Sequence, residues 1–143
     1  MRDFTSNYLS CLGREIHYTE WGAGHEEVVI AWHGLARTGR DMDHVAAHLA
    51  QRYRVICPDT IGRGLSQWSP VPEAEYCLDF YARLAESLLD QLGIAHCLWL
   101  GTSMGGAIGL RAAATVARGR IRRMVLNDIG PELGEGAVRR IRA

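Results

Sequence analysis

The sequence predicts an α/β protein built on a doubly wound, mostly parallel sheet. Three observations predict it. Short apolar runs rich in β-branched residues recur along the chain. Segments with apolar residues at helical spacing lie between them. The glycine- and serine-rich turns fall directly after the apolar runs, where such sheets present their ligand-binding edge. The chain has 143 residues, 48% hydrophobic and 22% charged, an ordinary globular composition for one domain.

Taken in order, residues 15–21 alternate and read as a half-exposed strand ended by Gly22-Ala23-Gly24. Val28 to Trp32 is a continuous apolar run, the pattern of a strand covered on both faces. Residues 41–51 place Met42, Val45, Ala46, Leu49 and Ala50 at helical spacing. Arg54 to Pro58 forms the next strand, closed by Asp59 and the turn Gly62-Arg63-Gly64. Residues 76–92 read as the clearest helix, with Leu78, Tyr81, Leu84, Ala85, Leu88, Leu89 and Leu92 on one face and Gly93 just past its end. Cys97 to Leu100 is a strand, 104–117 a helix rich in Gly and Ala, and Arg123 to Asn127 a further strand. From Pro131 another amphipathic segment begins, and the architecture is expected to break off there.

Composition narrows the function. Sixteen basic and sixteen acidic residues cancel, which gives no electrostatic basis for nucleic acid or an anionic membrane as partner. Every basic residue is arginine, so a Walker-type phosphate loop and a lysine base or Schiff base are both excluded. Cys11, Cys57, Cys77 and Cys97 are scattered with no C-x-x-C pair and read as reduced. The N-terminus has no apolar signal region and no apolar run could span a bilayer, so a cytoplasmic location is expected.

The chemistry centres on Gly101-Thr102-Ser103-Met104-Gly105, a G-x-S-x-G sequence between a strand and a helix. In that context the serine sits on a sharp turn with its hydroxyl exposed, and Gly101 and Gly105 keep Cβ atoms out of the crowded backbone. His33-Gly34-Leu35 follows another strand. Gly34 lets the backbone fold so that the Leu35 N–H pairs with the Met104 N–H as a two-donor oxyanion hole. His33 is read as a brace for its loop rather than as a base. Asp59 is read as a turn former. Gly62-x-Gly64 lacks the third glycine that a dinucleotide site requires. His44 and His48 have metal-ligand spacing but lie opposite the apolar face, so no metal site is expected. Arginines 118, 120, 122 and 123 flank a helix end, where cations favour the dipole. Trp32 reads as core, and Trp68 lies close enough in sequence to line a pocket.

The series H-G-L, D-x-x-G-x-G-x-S, G-x-S-M-G-G and L-N-D-I-G-P, in that order, resembles the α/β-hydrolase superfamily, most closely its bacterial, capped, cofactor-independent serine hydrolases. The likeness runs from about Tyr8 to Glu132. It implies Ser103 as nucleophile, Leu35 and Met104 as oxyanion donors, no cofactor, and a small-molecule substrate with an ester, thioester, lactone or activated C–C bond. Asp128 matches the less common position of the acid; it is the triad acid or a loop-bracing Asp before Pro131. The family's histidine comes after the nucleophile, whereas histidines 17, 25, 33, 44, 48 and 96 all precede Ser103. The base is therefore expected outside this chain. The resemblance divides the sequence into residues 1–130, the N-terminal part of the core, and 131–143, the start of a cap, with truncation after the sixth family strand. The open sheet edge would be covered by the rest of the polypeptide, a second chain or a copy of itself. The alternative is a non-catalytic small-molecule-binding protein on the same fold.

Overall fold

The computed structural model describes residues 3–130 together with 134 and 135. Six strands form one sheet: β1 (Phe4–Cys11), β2 (Arg14–Trp21), β3 (Val28–Trp32), β4 (Arg54–Pro58), β5 (Cys97–Thr102) and β6 (Ile121–Asn127). Their order is β1-β2-β4-β3-β5-β6. The pairs β3–β4, β3–β5 and β5–β6 are parallel, while β1–β2 and β2–β4 are antiparallel. The sheet is thus mostly parallel, with an antiparallel hairpin at one edge. The helices are α1 (Asp43–Leu49), preceded by a 3-10 turn at Gly39–Met42, then α2 (Pro72–Glu75), α3 (Leu78–Gln91) and α4 (Met104–Ala114).

Alternation along β3 explains the double winding. Ile30 and Trp32 join Ile56, Trp99, Leu84, Leu88 and Ile108 in the core beneath α3 and α4. Val29 and Ala31 join Val55, Cys57, Met42 and Ala46 beneath α1. Both faces of β3 are covered, so an uninterrupted apolar run is what the strand requires. Each large side chain removed from water here contributes about 1.5–3 kcal/mol.

Several expectations are corrected. β1 was not expected: half of its side chains (Thr5, Ser6, Asn7 and Ser10) are polar and break the apolar pattern, and it is held by the hairpin turn in which Leu12 (φ 52°) and Gly13 (φ 75°) both adopt left-handed backbone. β2 is not half-exposed: Ile16 and Tyr18 pack into the core on one face, and on the other His17, bonded to Asp59, and Thr19 are buried as well. The helix expected over 76–92 begins at Leu78, because Cys77 is extended (φ −150°, ψ 160°), and Pro72–Glu75 forms a separate turn of helix. Leu78 is exposed rather than on the buried face. The helix expected over 104–117 ends at Ala114. The segment 131–143, read as the start of a cap, lies outside the described residues except for positions 134 and 135. Among the described residues no helix is long and apolar enough to cross a membrane.

Candidate active site

Strand β5 delivers Ser103, and α4 begins at the next residue. Ser103 has φ 50° and ψ −114°, a backbone conformation that an L-residue occupies only under constraint. The constraint is visible on both sides of the turn. The Ser103 N–H donates to the Asn127 carbonyl at 2.8 Å, extending the β5–β6 pairing past the strand end. The Ser103 carbonyl accepts from the Gly106 and Ala107 N–H groups at 2.9 and 3.1 Å, starting the helix. A side chain at Gly101 would drive a Cβ against the backbone of Gly105 and Gly106, and one at Gly105 would strike the Trp32 and His33 carbonyls. These two glycines let β5 and α4 close tightly around the serine.

A cavity of about 470 Å³ opens at the carboxyl ends of the strands and is lined by Gly34, Leu35, Thr102, Ser103, Asn127 and Asp128, among others. Five of the residues named from sequence (His33, Gly34, Leu35, Ser103 and Asp128) therefore share one opening. A Cβ built on Gly34 would lie 3.7 Å from Ser103 Cβ, so the Leu35 loop runs directly beside the serine. Met104 is the first residue of α4, where a backbone N–H has no acceptor within its own helix. Asp128 has left-handed backbone (φ 59°) at the turn that ends β6. A second depression, about 350 Å³ and lined by Glu26, Gly93 and Arg122, sits at the opposite ends of the strands, away from the serine.

His33 is a brace. Its Nδ1–H donates to the Gly34 carbonyl at 2.7 Å, and its Nε2 accepts from the Thr60 N–H at 2.9 Å. Both ring nitrogens are used and the residue is fully buried. Burial, the dominant influence, lowers its pKa and keeps the ring neutral. The remaining histidines also lie elsewhere: His17 contacts Asp59, His25 the Ala50 carbonyl and His96 the Gly119 carbonyl, while His44 and His48 are exposed on α1. Among the described residues none hydrogen-bonds to Ser103, and no group of three or more His, Cys, Asp or Glu is arranged to hold a metal.

Some of the machinery was not read from sequence. Arg63 donates to the Leu35 carbonyl at 3.0 Å and to the Tyr81 hydroxyl at 2.9 Å, and its guanidinium also reaches the Met104 sulfur. It ties the Leu35 loop and the start of α4 to one cation. Arg37 and Asp41, an ion pair four residues apart, also line the cavity. Asp59 does more than form a turn: its carboxylate accepts from the Gly39 and Leu65 N–H groups at 2.7 and 2.9 Å and from His17. Trp68 does not line the cavity and stands 77% exposed.

Residues 27–141 match the model of the alpha/beta hydrolase fold. The chain belongs to the α/β-hydrolase family. A 3-hydroxybutyrate-oligomer hydrolase of Cupriavidus necator is 42% identical over 127 residues, covering 88% of this chain and 43% of that protein. The crystal structure of an α/β hydrolase from Novosphingobium aromaticivorans superposes with a TM-score of 0.88 at 36% identity, covering 99% of this chain and 50% of that one. A structure of an N-acyl homoserine lactonase with N-hexanoyl homoserine lactone matches with a TM-score of 0.82 at 25% identity, covering 89% of this chain and 46% of that one. The chain thus spans about half the length of these hydrolases.

Proposed function

We propose that this α/β-hydrolase chain supplies the nucleophile and oxyanion hole of a serine hydrolase acting on carboxylic esters, with thioesters, lactones and activated C–C bonds as related substrates. The strained Ser103 at the mouth of the strand-end cavity, with the Leu35 loop beside it, carries the reading. Ser103 Oγ attacks the substrate carbonyl, and the Leu35 and Met104 N–H groups stabilise the oxyanion that forms. His33, Gly34, Gly101 and Gly105 support the loops that set this geometry. Asp128 lines the same cavity and takes the role of the acid. The 3-hydroxybutyrate-oligomer hydrolase and the lactonase among its relatives support the ester and lactone end of the range.

The general base comes from outside these 143 residues, since no histidine follows Ser103 and the six that precede it are engaged or placed elsewhere. Exogenous imidazole tests this directly. A fluorophosphonate probe should label Ser103 slowly, and imidazole should accelerate that labelling by about tenfold or more as a substitute general base. Ser103→Ala should abolish it. A folded chain that never labels at Ser103, with or without imidazole, overturns the catalytic reading and favours a non-catalytic small-molecule-binding protein on the same fold.

A further inference from the structure

A second serine is wired to a histidine and a carboxylate, at the far edge of the sheet from Ser103. Ser6 on β1 lies 2.6 Å through Oγ from His17 Nε2, and His17 Nδ1 lies 2.8 Å from Asp59 Oδ2. Three strands (β2, β4 and β3) separate β1 from β5, so this relay is a separate feature from the nucleophile turn. It does not depend on the hydrolase reading of Ser103.

The chemistry of the partners sets the direction of the bond to Asp59. Asp59 is a carboxylate already accepting from the Gly39 and Leu65 N–H groups, which leaves His17 Nδ1 as the donor. In the neutral ring Nε2 carries the lone pair and accepts the Ser6 hydroxyl. His17 and Asp59 are 2% exposed each, so the pair is held out of water, whereas Ser6 is exposed on the edge strand. The histidine is also fixed in place through its backbone: its N–H donates to Ser66 Oγ at 2.9 Å, and its carbonyl accepts from the Asp59 N–H at 2.9 Å. A serine on an exposed edge strand, an oriented imidazole and a buried carboxylate are the three parts of an activated serine.

We propose that Ser6 is a second nucleophile, a self-acylation site that accepts an acyl group from a small activated ester or thioester. Ser6 Oγ forms the bond to the acyl carbon while His17 Nε2 takes the hydroxyl proton. The bond from that carbon to the alcohol or thiol leaving group breaks, and the leaving group departs with the electron pair. Asp59 stabilises the imidazolium, which afterwards returns its proton to solvent. The product is an acyl-Ser6 chain, one acyl group per molecule.

Ser10 provides an internal control. It is exposed on the same strand, faces Glu15 in the register, and falls in the same tryptic peptide as Ser6. The 143-residue chain is incubated with p-nitrophenyl acetate, and the acetylated peptide is mapped by mass spectrometry. Ser6 should be acetylated faster than Ser10 by about tenfold or more, toward the low end of general-base assistance. The preference should persist in Ser103→Ala, and it should vanish in His17→Gln and in urea-unfolded wild type. A native Ser6 to Ser10 ratio below about tenfold overturns the proposal, as does a ratio that survives unfolding in urea or a folded His17→Gln chain that keeps it. Should His17→Gln fail to fold, the comparison of native with unfolded wild type decides. The mapping reads Ser6 and Ser103 on different peptides, so either reading can fail without the other.

Discussion

The indole of Trp99 donates from Nε1 to the carbonyl of Gly105 at 3.0 Å. Trp99 lies on β5 and Gly105 in the first turn of α4, so the bond staples the strand and helix on either side of Ser103. The same ring stacks on Trp32 at 5.5 Å between centroids, and a side chain at Gly109 would collide with it. Trp99→Phe keeps an aromatic ring but removes this bond, leaving the Gly105 carbonyl with only its partner inside α4. It should cost about 0.5–1.5 kcal/mol in urea unfolding and slow probe labelling of Ser103.

The backbone at Ser103 stores strain. Ser103→Gly removes a Cβ from a left-handed conformation that costs about 1–3 kcal/mol, against about 0.5–1 kcal/mol for the added freedom of glycine in the unfolded chain. The variant should therefore be more stable by about 1 kcal/mol in urea while losing all labelling. Ser103→Ala keeps the strain, and its unfolding midpoint should stay close to that of the wild type.

His33 makes stability fall in acid. Burial depresses its folded pKa below the ordinary 6.5, so the unfolded chain binds the proton more readily. The stabilisation is fully present above pH 6.5 and is lost as pH falls from there toward the depressed folded value. The urea midpoint should drop between pH 7.5 and pH 5.5, and His33→Gln should flatten that slope. A midpoint that rises on acidification in wild type but not in the variant contradicts the assignment.

Thiol chemistry should separate the four cysteines, all of which are free. Cys57 and Cys97 are buried, and burial pushes their thiols up to about 12 and about 11. At pH 8 the thiolate share of Cys57 is about one in ten thousand. Iodoacetamide should modify exposed Cys77 in the native chain and reach Cys11, Cys57 and Cys97 only after urea is added. Intact-mass counting of adducts checks it.

Strand β6 borders the described sheet on one edge, and Val125 on it is 62% exposed. Beside it an apolar groove of about 270 Å³ is lined by Val29, Leu49, Leu98, Leu100 and Val125, among others. An apolar edge of this kind pairs with whatever chain can reach it. The 143 residues purified by themselves should self-associate in light scattering, and Val125→Lys should shift the mass toward the monomer. A well-behaved wild-type monomer overturns the edge argument.

Sequence patterning was most legible where burial is complete. Val28–Trp32 and residues 55–58 are apolar because both of their faces are covered, and the G-x-S-x-G turn needs its glycines for steric reasons that act within a few residues. β1 was illegible because an edge strand carries polar side chains, and the left-handed Leu12 gives no composition signal for its turn. The roles of Arg63 and Asp59 were equally hidden. Arg63 acts on Leu35 and Asp59 on His17 and Gly39, partners that only the folded sheet brings together.

Helix α4 carries Gly105, Gly106 and Gly109 among its eleven residues, each where a larger side chain would strike Trp32, Ile129 or Trp99. Glycine in a helix interior costs about 1 kcal/mol relative to alanine, so this segment has little tendency to coil before it has a sheet to lie on. Strands β3 and β5 and their stacked tryptophans supply that surface, so the turn that holds Ser103 is stable only against an assembled sheet. A partly folded chain would carry no competent hydroxyl there, so reactivity at that one atom reports on completion of the whole domain.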